Sequence, residues 1–355
     1  MSTTLPARPT DDALDDAVLA AIGDPHLAQR CAREPTYARA LVSTATAVAV
    51  AAFDDGDDAA LDVAHRALYH LYAQLMWSPV DVDRGNEHDL TLAGVLLELE
   101  RGFQRALDRM ALPEAPPRDP DAFSGWLQRL VQETPAVPDT GLAAYLRERA
   151  TLDQLTEIVA QRSLFFLKEP DPWTMVVPSL RGQPKAGLID VLLDEYGWGR
   201  HDQMHSTVYE RLMARLGLET GYDAYLDGTA HQFLAVMNYQ GMLARNRRLC
   251  RRMYGYIYLV EAESPEAMRT YLAAYDRLGI TDEDVRRFYD LHVTADEDHQ
   301  RVALEEMIVP LVRAEPAART EIAAGVVGGQ HLEHEFAAHL HQCFTAGRSS
   351  LRGAA

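Results

Sequence analysis

The 355-residue chain is 47% hydrophobic and 25% charged, a globular composition long enough for one large domain or two ordinary ones with a sizeable core. Its 53 acidic against 34 basic residues give a formal charge of −19, which argues against nucleic acid or an anionic membrane as partner, since both favour a net basic face. Cys31, Cys250 and Cys343 show no CxxC spacing, so neither a disulfide framework nor a zinc knuckle is expected and the default compartment is a reducing cytoplasm.

The opening MSTTLPARPTDDALDD has no cationic stretch leading into an apolar one, so no secretory signal is expected. The longest apolar run, ATAVAVAAF from Ala45 to Phe53, is about half the length of a bilayer span. Helical periodicity follows: ALDVAHRALYHLYAQLM, ending at Met76, sets Leu61, Ala64, Leu68, Leu71 and Leu75 three and four residues apart. LTLAGVLLELERGFQRALDRM continues to Met110, where ALPEAPPRDPDAF brings four prolines and stops it. That break predicts an N-terminal helical region over residues 1–115, which packs on the rest or forms a homodimer interface, and a second domain over 116–355. Further breaks at TPAVPDTG and EPDPWTMVVPSLRGQP separate helices expected near 142–168, 185–196, 201–216, 229–260, 265–278, 282–313 and 317–346. With no alternating β-branched runs between hairpin turns and no fixed repeat, the expected class is an all-α bundle.

Polar residues on apolar stripes carry the chemistry. In the segment from Lys185, the stripe of Leu188, Val191 and Leu192 meets Glu195 seven residues after Leu188. Asp202 follows seven later, about 20° round an ideal helix, and His205 three beyond, with Gly197 and Gly199 able to bend the chain between. After TDED, a Thr281 cap with an acid three residues on, a second stripe runs Val285, Phe288, His292, Asp296, His299, Ala303, Met307. Each ionisable group there would cost several kcal/mol if buried unpaired, and a divalent metal compensates imidazole and carboxylate together. Carboxylate-x-x-His sets two ligands one turn apart, and two such pairs plus extra carboxylates are how helical bundles hold two irons. Asp202 with His205 and Asp296 with His299 make those pairs, and Glu169 in SLFFLKEP is a further carboxylate. The bland alternatives are a buried hydrogen-bonded cluster at 292–299, a solvated turn at 195–205, and an exposed helix end at Glu169 beside Pro170.

Taken together, Glu169, the EYGWG from Glu195, DQMH and HVTADEDH resemble the heme-oxygenase-like dimetal oxidases, often described as iron-containing redox enzymes. The spacing is similar to that of the N-oxygenating members, and the resemblance covers roughly residues 140 to 345. It implies a seven-helix heme-oxygenase-like bundle, with the N-terminal helical region additional to it, that binds no haem. It also implies two Fe(II) ions, or manganese, with O2 as co-substrate and an electron donor. The implied metal residues are Glu169, Glu195, Asp202, His205, His292, Asp296 and His299. Of these, Glu195, His205 and His299 are expected around one metal, Glu169, His292 and Asp296 around the other, and Asp202 bridging or terminal. Asp202 stands where those relatives carry Glu, one methylene longer, so it would reach one iron or act through water. The implied activity is N-oxygenation of an amine or amino-acid-derived substrate in a biosynthetic pathway. The alternatives are oxidative C–C cleavage, decarboxylation or desaturation of an amino or fatty acid by the same metals, and a metal-free helical binding protein.

Other polar residues divide more evenly. For Glu261 in YIYLVEAESP the resemblance implies a ligand or partner acid from a neighbouring helix, and the alternative is a helix-terminal acid. His331 and His334, one turn apart in HLEHEFAAHLH, are expected on the solvated face of a surface helix. His65 and His70 point about 140° apart and read as core or interface residues. Arg245, Arg247, Arg248, Arg251 and Arg252 form the one basic concentration, an ion-paired face or a place for a substrate carboxylate. Asp194 and His201 are expected to face away from the metal wall. No nucleophile elbow or phosphate-cradling loop is present.

Overall fold

Helices account for the regular structure throughout residues 13–76, 86–110, 112–132 and 140–353, which the computed structural model describes. These residues form two compact units, one up to Arg109 and one from Met110 on.

In the first unit, α1 (Leu14–Gly23), α2 (Leu27–Arg33), α3 (Pro35–Phe53), α4 (Asp58–Met76) and α5 (Leu90–Asp108) pack together. Pro35 opens α3 at the first helical position, where its missing N–H costs nothing. The Asp89 carboxylate caps α5 by accepting from the Thr91 and Leu92 amides. The run read as half a span is the second half of α3, which over its full 19 residues is long and apolar enough to cross a bilayer by length and composition alone. Its stripe of Leu41, Ala45, Ala49 and Ala52 is nevertheless buried in the unit, where α3 packs on α4 and α5. His65 is a core residue, its ring edge-on to Phe53 and Phe103.

The second unit comprises α6 (Pro120–Gln132), α7 (Leu142–Glu148), α8 (Leu152–Phe166), α9 (Asp171–Thr174), α10 (Gly182–Glu195) and α11 (His205–Arg215). It continues with α12 (His231–Arg245), α13 (Cys250–Leu278), α14 (Glu283–Arg301), α15 (Val309–Ala314) and α16 (Ala318–Thr345). A Thr151–Gln154 capping box starts α8, and Asp282 caps α14. The long α13 is central, packed between α14 and α16. It meets α16 backbone to backbone: a Cβ on Gly255 would lie 1.9 Å from the Ile322 carbonyl oxygen, and one on Gly325 2.0 Å from that of Arg252.

Three expectations change. The chain breaks at Asn246, not near Pro265, and α13 runs through that proline; Pro265 forfeits the one bond its N–H would give the Glu261 carbonyl, while packing on both sides holds the rest. Directly after α14, Val302–Ile308 widens into a π-helix, a form frequent at functional sites. Finally, α16 is no surface helix: Val326, Gln330, Phe336 and Leu340 are buried, and it packs on α12 and α13. The TPAVPDTG break, apart from Thr140 and Gly141, lies outside the described residues.

Candidate metal centre

Four helices and one turn deliver the buried polar side chains. Past the end of α8 the chain turns and brings Glu169 inside, 4% exposed despite Pro170 beside it. On α10 the periodicity holds to the last residue, so Glu195 is buried with Leu188, Val191 and Leu192. Gly197, Trp198 and Gly199 then take left-handed φ of 57°, 54° and 76°, folding the chain back so that α11 begins at His205. A Cβ on Gly197 would lie 2.5 Å from the Gln203 carbonyl carbon, so only glycine allows this close approach. Buried on α14 are His292, Asp296 and His299, the i, i+4, i+7 stripe, and α13 adds Glu261.

These residues form two ligating sets that share one carboxylate. Glu195, His205 and His292 offer one set of donor atoms and Glu195, Asp296 and His299 another, the atoms in each lying within 4.8 Å of one another. Glu195 Oε2 is 2.9 Å from His205 Nδ1, and its Oε1 is 3.7 Å from His299 Nδ1. Around that last nitrogen stand Glu261 Oε2 at 3.2 Å and Asp296 Oδ1 at 3.4 Å. The His205 and His292 rings sit 4.5 Å apart.

The fit to metal ions rests on atoms left unsatisfied. Glu169 Oε2, Glu261 Oε1 and His292 Nε2 are buried without a hydrogen-bond partner, while Glu195 Oε2 and His205 Nδ1, 2.9 Å apart, and Asp296 Oδ1, 3.4 Å from His299 Nδ1, are in close polar contact without hydrogen-bond geometry. Orphans of this kind are rare singly, and a group of them around shared space is what cations satisfy. Tautomers agree: His292 Nδ1 donates to the Phe288 carbonyl at 2.8 Å, leaving the Nε2 lone pair free. His299 turns Nδ1 to the cluster and Nε2 to Asp194 Oδ2 at 3.2 Å, the outer carboxylate that metal-bound imidazoles commonly carry.

Electrostatics in the metal-free protein tell the same story. Burial, reinforced by Glu195, Glu261 and Asp296, holds the Glu169 carboxyl well above its usual range. Burial likewise pushes Glu261 up to about 8, with His299 opposing. Although burial disfavours their cations, neighbouring carboxylates raise both His205, chiefly through Glu195, and His299, chiefly through Glu261. Burial lowers His292. The His299 contact holds Asp194 down at about 2. Carboxylates that share protons in the absence of metal are the groups that would exchange those protons for it.

Of the seven residues named from sequence, the structure brings six together: Glu169, Glu195, His205, His292, Asp296 and His299. Asp202 stands apart, exposed on the short turn His201–Gln203 and in neither ligating set. The reason is local: α11 starts at His205, so the two residues do not share a helix and the one-turn spacing does not apply. The expected division is redrawn too, with His292 beside His205 and His299 beside Asp296, its neighbour one turn back on α14. Asp194 was expected to face away; instead it touches His299 and lies 3.8 Å from His205 Nε2. Glu261 proves to be a cluster residue. Arg251 and Arg252 are ion-paired, with Glu315 and Glu321. Sequence reasoning passed over Arg162, Glu263 and Glu333, which line a cavity of about 110 Å³ that reaches Glu169. A second, open cavity of about 400 Å³ borders Asp194 and His299.

The family model described as iron-containing redox enzyme matches residues 156–334, half of the chain, and that span holds the whole cluster from Glu169 to His299. The nitrosourea synthase of Streptomyces achromogenes subsp. streptozoticus is 31% identical over 168 residues, which is 47% of this chain and 35% of that relative. The chain thus matches about a third of the length of this curated relative. It belongs to the iron-containing redox enzyme family, with that family's all-α heme-oxygenase-like fold and an additional N-terminal helical region.

Proposed function

We propose that the chain is a non-haem di-iron oxygenase that uses O2 to place oxygen on the nitrogen of a small amine or amino-acid-derived substrate. The observation that carries this reading is Glu195, whose two carboxylate oxygens face the two ligating sets, as a bridging ligand would. His205 and His292 would hold one iron. His299, Asp296 and Glu261 would hold the other, with Glu169 completing the cluster. Two irons held there would supply the electrons and Lewis acidity that O2 chemistry needs. The protein contributes burial that keeps bulk water from the ligand atoms, and fixed ring orientations at His292 and His299. A nitrosourea synthase is named for a product with oxygen on nitrogen, which favours N-oxygenation over carbon chemistry. The reading includes an external electron donor, a cytoplasmic location, a catalytic domain over residues 116–355 and a homodimer.

The test begins with anaerobic Fe(II) loading, which should give about two irons per chain, followed by O2 and a panel of amines and amino acids. Products that gain oxygen on nitrogen support the reading. Loss of CO2 or of two hydrogens would move the enzyme to the carbon-cleaving or desaturating alternative, and a wild type that binds no iron would sink both.

A further inference from the structure

The cavity of about 110 Å³ beside the cluster is walled by α8, α13 and α16, and its polar lining is unevenly charged. Arg162 donates through both terminal nitrogens to Glu333, at 3.1 and 2.6 Å, with the guanidinium against the Phe233 and Phe336 rings. Those two charges cancel. Glu263 forms no ion pair with a described residue lining the cavity: its Oε1 accepts from the Gln330 amide at 3.1 Å, a neutral donor. The Tyr256 hydroxyl, on a side chain 1% exposed, has no hydrogen-bond partner. Among the described residues lining the cavity, Arg162 is the one cationic side chain, and it is committed to Glu333.

We propose that this cavity is the substrate site, that it takes a compact organic cation, an ammonium or guanidinium, and that Glu263 is the counter-ion that selects it. The proposal rests on the reading of Glu169 as part of the metal centre, because Glu169 belongs to both cavity and cluster and so sets the bound molecule beside the irons. A cation with N–H donors satisfies what the lining leaves open: the carboxyl of Glu263, the unpartnered hydroxyl of Tyr256, and aromatic surface at Tyr256 and Tyr271. An anion of the same shape would meet the Glu263 carboxylate as a like charge, so the cavity discriminates by repulsion as well as attraction.

A series of matched length tests this: n-butylammonium, n-butylguanidinium, 1-butanol and butyrate, titrated calorimetrically into metal-free and Fe(II)-loaded protein without O2. The two cations should bind about tenfold or more tighter than the alcohol or the anion, the worth of one charge-assisted contact. Glu263→Gln should erase that preference and Glu263→Asp should retain it. Wild-type protein that binds butyrate or butanol as tightly as the cations overturns the cation site, as does a Glu263→Gln variant that keeps the preference. The wild-type comparison alone decides the ligand class, so it stands even where a variant fails to fold. Iron stoichiometry is measured on each sample: absent iron speaks against the metal centre, whereas bound iron without cation preference speaks against this site alone.

Discussion

Asp194 Oδ2 lies 3.2 Å from Nε2 of His299, while Nδ1 of the same ring faces Asp296 and Glu261. The ring is therefore oriented from both ends, and the outer contact decides which nitrogen is free for metal. Asp194 is itself held by the Trp198 indole, which donates to Oδ1 at 3.0 Å, and Trp198 pays for its place with a left-handed φ of 54°. Asp194→Asn keeps the size but removes the charge that fixes the tautomer. Fe(II) affinity, read by anaerobic chelator competition, should fall about 10- to 100-fold. An affinity within about twofold of wild type would show that Asp194 does not position His299 for metal.

The orphaned atoms also separate ligands from bystanders. His292→Ala and His299→Ala should each lose most of the bound iron, measured by elemental analysis after anaerobic loading and desalting, because each deletes a nitrogen facing the cluster. Asp202→Asn should bind iron like wild type, since its carboxylate is exposed and outside both sets. Iron loss in Asp202→Asn would restore it to the ligands.

Much of this centre was legible in the sequence because a helix advances about 100° per residue, so ionisable groups replacing apolar ones along a stripe stand out. His292, Asp296 and His299 on α14, and Glu195 at the end of α10, were visible for that reason. The spacing of Asp202 to His205 is that of a helix, but a turn through three left-handed residues comes first and α11 starts only at His205. Glu261 was ambiguous because Pro265 reads as the end of a helix that in fact continues. Arg162 and Glu333 pair across 171 positions, a contact made by tertiary packing that no local pattern encodes.

Stability of the metal-free protein should fall as pH rises from about 5 to 8, and the sign follows from proton uptake. Burial raises Glu261 to about 8 and Glu263 to about 7 from the ordinary 4.5, so across this window the folded state holds protons that the unfolded chain has released. His205 and His299 are raised as well; the stability they contribute is complete below 6.5 and is lost on the alkaline side, the same direction. His292, lowered by burial, opposes this only toward the acid end. Urea midpoints of the metal-free protein at pH 5 and pH 8 provide the measurement. Fe(II) should reverse the trend, because its ligands must be deprotonated and binding strengthens with pH. A midpoint that rises with pH in metal-free protein would contradict the buried-carboxylate account.

Gly197 and Gly199 flank Trp198 in the turn that joins Glu195 to His205, and both are left-handed, yet their surroundings differ. A Cβ at Gly199 meets nothing within 4 Å, so Gly199→Ala should cost only the left-handed strain, about 1 kcal/mol, and leave iron binding intact. At Gly197 the added carbon lies 2.5 Å from both the Gln203 carbonyl carbon and the Met204 nitrogen. Backbone cannot give way there as a flexible side chain would, so the turn must open, and His205 moves with it because α11 begins on the next residue. Gly197→Ala should therefore lose about 2–3 kcal/mol or more from strain and overpacking together, and it should also weaken Fe(II) binding, which Gly199→Ala should not. Thermal unfolding and iron stoichiometry on the two variants check the contrast. Equal behaviour of the pair would mean that His205 is placed by the packing of α11 rather than by the turn.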